Sequence, residues 1–82
     1  MSVYDPLGKY LSVCTGRAVL LSFGEIEAIL NRRLPKSARE YDWWWANEEL
    51  RTTRHFQCRA WMSARWMVEA VDRSRGTVRF AR

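Results

Sequence analysis

The sequence predicts an α+β domain with three or four helices and a small three-stranded antiparallel sheet, and three observations lead there. Ser22 with Glu25 and Ser37 with Glu40 have the spacing of reciprocal helix caps, so two helical segments open at these points. Apolar residues alternate from Trp66 to Val71 and again from Thr77 to Phe80, and Asp72-Arg73-Ser74-Arg75-Gly76 between them has turn chemistry, which makes a terminal hairpin. Ala18 to Phe23, an apolar run too short to stand as a helix, supplies the remaining strand.

Taken in order, Asp5 before Pro6 starts a first helix, because a carboxylate accepts an orphan N–H and proline has a helical φ in the first turn. Leu7, Tyr10, Leu11 and Cys14 fall on one face of it, and Gly16 suits the left-handed residue that ends it, so the helix runs over 6–14. After the strand, Ile26, Ile29 and Leu30 form the buried stripe of helix two, with Glu25, Glu27 and Asn31 facing water. Arg32, Arg33 and Leu34-Pro35 stop it, since the residue before proline resists helical geometry. A third helix is expected from Ala38 to about Trp44, with Ala38, Tyr41 and either Trp44 or Trp45 inward. Asn47 breaks the chain, and Glu48 and Glu49 suit a new first turn. A fourth helix should extend from Thr52 or Thr53 to Ala64. Gln57, Ala60, Trp61 and Ala64 form one of its faces, and Arg51, His55, Arg59 and Met62 the other. In the hairpin, Trp66, Val68 and Ala70 share a face.

Eighty-two residues make one domain, 1–82, with a modest core. No apolar run approaches the roughly 20 residues needed to cross a bilayer, and MSVYDPLGKY lacks the layout of a secretion signal, so a soluble cytoplasmic protein without membrane contact is expected. Cys14 and Cys58 are too few for a disulfide framework and are expected to be reduced. The net charge of +5 is unevenly placed. Residues 1–49 carry six basic and seven acidic side chains, whereas residues 50–82 carry eight arginines against Glu69 and Asp72. Arginine favours planar contacts with phosphates, base edges and carboxylates.

The order of elements matches a winged helix-turn-helix, in which the first strand joins the terminal hairpin and the helix before the hairpin is presented to the DNA major groove. On that topology the helix at 53–64 and the wing at 73–76 both bear arginine. The expected function is a non-enzymatic nucleic-acid-binding module, with double-stranded DNA ahead of RNA, using Arg51, Arg54, His55, Arg59, Arg65, Arg73 and Arg75. Neutralising roughly five phosphates would give a salt slope of about −4 to −5. All five tryptophans lie between residues 43 and 66. Three of them, Trp43 to Trp45, are consecutive and cannot all face one way, so two are expected in the core and one on the surface; the sequence does not single out which, and Trp43 is counted among the binding residues. Trp61 and Trp66 are expected in the core. Exposed Trp and Arg serve protein interfaces as well, so the alternative is a protein-binding inhibitor or adaptor, such as a phage-encoded inhibitor of a bacterial defence complex of CRISPR type. Stacking of single-stranded nucleic acid on an exposed tryptophan is a third reading. Winged domains often pair, which leaves a homodimer open, although the sequence has no coiled-coil seam. No cofactor is expected. The spacing of His55 and Cys58 falls short of a four-ligand zinc site, and the pair lacks the third group that orients a nucleophile and its base.

The combination Tyr4-x-Pro6-Leu7-x-x-Tyr10-Leu11, Ser22-Phe23-x-Glu25-Ile26-Glu27, Leu34-Pro35-x-Ser37-Ala38, Trp44-Trp45-x-Asn47 and Ala60-Trp61-x-x-Ala64-x-Trp66 resembles a family of small uncharacterised bacterial and phage domains, several of which end like Val78-Arg79-Phe80-Ala81-Arg82. The resemblance spans nearly the whole chain and implies a bacterial or phage setting with no established activity. It also implies glycine where this chain has Arg65, a departure that matters if the helix ends there in a left-handed conformation.

Overall fold

The computed structural model describes residues 2–82. Its elements are α1 (Asp5–Ser12), β1 (Ala18–Ser22), α2 (Phe23–Leu30), α3 (Lys36–Glu40), a 3-10 turn (Asp42–Trp45), α4 (Phe56–Ser63), β2 (Met67–Asp72) and β3 (Thr77–Ala81). The α+β class holds, and β3 lies between β1 and β2 in one antiparallel sheet. Among the described residues no helix is long and apolar enough to cross a membrane.

The first helix is shorter than its apolar spacing suggests. Asp5 is its first residue, not its cap, and the Asp5 carboxylate accepts the Ser2 N–H at 3.0 Å. The helix closes when the N–H groups of Val13 and Cys14 turn back to the carbonyls of Tyr10 and Leu11, a tightened last turn. Gly16 is left-handed (φ 86°), but it steers the chain into β1 after the helix has already ended. Leu7 and Leu11 enter the core.

The start of α2 is as the sequence predicts: Ser22 Oγ accepts the Glu25 N–H at 3.0 Å, and Glu25 Oε1 accepts the Ser22 N–H at 2.9 Å. Its end comes earlier than Arg33, because Asn31 takes a left-handed conformation (φ 55°) that its short amide tolerates. Glu27 is not a solvated residue. It accepts the Leu34 N–H at 2.8 Å and Arg39 Nη2 at 2.7 Å, and these two contacts, the backbone one first, hold its carboxyl below the usual carboxylate range.

The third helix departs most from expectation. The Ser37–Glu40 cap does not form; Pro35 precedes the helix, and Tyr41 is already extended. The chain restarts as a 3-10 turn, whose three residues per turn send Trp44 and Trp45 inward and leave Trp43 outside. Tyr41, expected inward, is exposed. Trp45 is anchored by its indole N–H donating to the Ala38 carbonyl at 2.8 Å.

In the core, Trp61 stacks on Trp45 (5.9 Å between centroids) and meets Phe80 edge-on (5.8 Å), and Trp45 stacks in turn on Phe23 (5.6 Å). Trp61 and Trp66 are both fully buried, as expected. Asn47 joins this core to the sheet. Its Oδ1 accepts the Trp61 indole N–H (3.0 Å) and the Val68 N–H (2.8 Å), while its Nδ2 donates to the Val68 carbonyl (2.7 Å). A side-chain amide thus takes the place of a neighbouring strand at Val68, on the outer edge of β2. Just beyond, the register of β2 shifts between Val68 and Ala70, so a bulge interrupts the expected alternation and Val71, not Ala70, pairs with buried Val78.

At the end of α4, Arg65 is left-handed (φ 66°), the conformation for which glycine is suited. Replacing Arg65 with glycine is expected to raise stability by about 1 kcal/mol, because the steric penalty on a β-carbon exceeds the entropic cost of glycine. Urea denaturation of Arg65→Gly against the parent checks this, and an unchanged or lower midpoint contradicts it.

Candidate functional site

The fourth helix begins three residues later than its sequence suggests, and this changes where the basic residues stand. Ala46 to His55 form a loop in which Glu48 acts as a clasp. Its Oε1 accepts the Thr53 hydroxyl at 2.6 Å, and its Oε2 is 2.7 Å from His55 Nδ1, which must carry the proton because a carboxylate only accepts. The Thr53 hydroxyl bond, followed by the His55 bond, holds the Glu48 carboxyl below the usual range. The buried Thr53 Oγ1 also accepts the His55 N–H at 3.0 Å, a local turn that competes with helix and delays α4 to Phe56. Cys58 Sγ points inward to the same hydroxyl while the His55 ring points out, so the two do not converge on a common point.

Of the basic residues expected on a recognition helix, Arg59 alone lies within α4, where its guanidinium donates to the Thr53 carbonyl at 3.0 Å. Arg51 and Arg54 are exposed loop residues, His55 immediately precedes the helix, and Arg65 stands at its far end, roughly 12 Å along the axis. Arg51 lies 3.5 Å from Glu49. Arg54 has no hydrogen-bond or ion-pair partner among the described residues.

At the hairpin tip Arg73 donates through Nε to Asp42 (2.6 Å) and through Nη1 to the Glu40 carbonyl (2.8 Å). Asp72, at the end of β2, accepts the Ser74 hydroxyl and the Arg75 N–H, which keep its carboxyl below the usual range in that order, and Arg75 Nε lies 3.8 Å from it.

Between these two basic ends runs an aromatic strip. Trp43 and Tyr41 are 51% and 50% exposed, their rings 6.0 Å apart and inclined by 22°. The His55 ring lies 6.0 Å from Trp43 on the way to α4. Asp42, held by Arg73, is the residue between Tyr41 and Trp43. The hairpin tip, the 3-10 turn and the start of α4 therefore form one surface through direct contacts, with His55, Trp43 and Arg73 along it; Arg54 adjoins it through its chain neighbour His55, and Arg75 through Asp72. No contact ties Arg51 or Arg65 to this strip.

Sequence reasoning missed Tyr41, which it placed inside, and Phe56, which is 63% exposed. Phe56 borders an open groove of about 670 Å³ between α1 and α4, with Lys9 and Arg59 among its other walls. The apolar residue at 56 follows directly on polar loop residues, and that break in the pattern was the available signal.

No curated protein matches the chain, and no solved structure matches it. A family match covers residues 4–82, and the chain belongs to that family, the domain of unknown function DUF7662.

Proposed function

We propose that the chain is a non-enzymatic nucleic-acid-binding module of winged-helix type, with double-stranded DNA held between the start of α4 and the hairpin tip. The observation that carries this reading is the continuous strip from His55, which follows Arg54 in the chain, through Trp43 and Tyr41 to Arg73. The sheet order, with β1 joined to the terminal hairpin, agrees with it. The ion pairs of Arg51, Arg73 and Arg75 do not oppose it, because all three are exposed pairs of the kind worth about 0–1 kcal/mol, which a phosphate can displace. They do lower the expected charge. Glu49, Asp42 and Asp72 pair with Arg51, Arg73 and Arg75, and Glu48 with His55, so fewer phosphates are neutralised than the arginine count suggests.

The test is duplex binding across a salt series. The logarithm of affinity should fall with the logarithm of salt at a slope of about −3, and Arg54→Ala or Arg73→Ala should each flatten it by about one. A flat response in the parent rules the reading out. A second reading, a protein-binding inhibitor or adaptor, is favoured by a separate observation: Phe56 stands exposed beside the α1–α4 groove, a large anchor next to a concavity. Capture of a partner that survives nuclease treatment, lost in Phe56→Ala and kept in Arg73→Ala, would support it.

A further inference from the structure

We propose that Tyr41 and Trp43 form a stacking ledge for an unpaired nucleobase, so that the preferred ligand is a duplex bearing a single-stranded overhang. This rests on the nucleic-acid reading above and names the substrate feature that the strip selects.

Three observations lead there. First, the two rings are half exposed although Trp44 and Trp45, the next two residues, are buried, so the ledge is set in a rigid base. The Trp43 carbonyl accepts the Ala46 N–H at 3.1 Å, closing the turn beneath it. Second, Trp43 has Tyr41 and His55 as neighbours at 6.0 Å, inclined by 22° and 35°, and still keeps 51% of its surface exposed, so part of the indole is free to take a base. Third, Arg73 is held at Asp42 and at the Glu40 carbonyl, on either side of Tyr41 in the chain, so a phosphate adjoining a stacked base meets a guanidinium group at that end of the ledge. Bases inside a duplex have both faces covered by their neighbours. Those of an overhang do not, and they stack on aromatic side chains with little regard to sequence.

The experiment compares one hairpin duplex in three forms at fixed salt: blunt, with a two-nucleotide overhang, and with an abasic overhang of the same length and charge. The parent should bind the base-bearing overhang about tenfold more tightly than the abasic one. Trp43→Ala should abolish that difference, Tyr41→Ala should reduce it, and Trp43→Phe should restore most of it. Equal affinity for base-bearing and abasic overhangs overturns the inference, since any gain is then electrostatic. Equal losses for blunt and overhang forms in Trp43→Ala overturn it too, while duplex binding itself stands. If no form binds, the nucleic-acid reading fails, and the ledge fails with it.

Discussion

Replacing Trp61 with alanine is expected to cost about 3–5 kcal/mol. A domain of this length has a total stability of roughly 4–12 kcal/mol, so one such loss removes at least about a quarter of it and, at the low end, all of it. Trp61 is fully buried and touches three aromatic neighbours: Trp45 at 5.9 Å, Phe80 at 5.8 Å and Trp44 at 6.5 Å. Its removal opens a cavity that rigid rings cannot collapse to fill. It also takes away the indole N–H that Asn47 Oδ1 accepts, so the amide loses one of the bonds that orient it toward Val68. Thermal and urea denaturation followed by circular dichroism measure the effect. Trp43→Ala is the control, and its half-exposed ring predicts a change within about 0.5 kcal/mol. Similar midpoints for the two variants would refute this account of the core.

Gly8→Ala is expected to destabilise the fold by about 3 kcal/mol, against the sign of the usual effect. Within an exposed helix, alanine in place of glycine stabilises by about 1 kcal/mol. Here a β-carbon on residue 8 would lie 2.5 Å from the Ala60 carbonyl oxygen and 3.3 Å from the carbonyl carbon. Both are backbone atoms of α4, and no rotamer can move them aside. The two helices would have to separate, disturbing Leu7 and Leu11 on one side and Trp61 on the other, all of them core residues. A denaturation midpoint equal to or above the parent's would show that α1 can shift at no cost. A gain in stability would contradict the crossing itself.

Neither residue carried equal warning in the sequence. Trp61 was legible, because its apolar neighbours recur at helical spacing, and the same signal placed Trp66 inside. Gly8 has no local signature; what it meets is a carbonyl 52 positions further on. The same division runs through the fold. The cap of α2 and the hairpin rest on short-range chemistry and on alternation, and they were readable; that β1 joins the hairpin followed only from the order of elements, which did not say that its partner is β3. The left-handed Arg65 was also foreseeable, from the glycine that the resemblance implies at that position. The start of α4 was not, because Thr53 is captured by Glu48 across a loop, and no propensity anticipates that bond. Tyr41 was misplaced for a related reason: the change from α to 3-10 geometry turns it outward, while Trp45 takes the inner place against Ala38. The site suffered accordingly. Arg54 and His55 were assigned to a helix that begins after them, and the ring at Tyr41, which neighbours Trp43 and lies in the chain between the two residues that hold Arg73, was left out.

The amide of Asn47 has a consequence for how copies of this domain could associate. Because it occupies Val68 and the bulge follows at once, a foreign strand arriving beside β2 finds the peptide groups of Val68 already taken and the register bent. The opposite margin, β1, keeps its outward peptide groups at Ala18 and Leu20, since β3 occupies the other side. A sheet whose one margin is plugged and kinked and whose other is open favours a single strand-to-strand mate across β1 over open-ended addition.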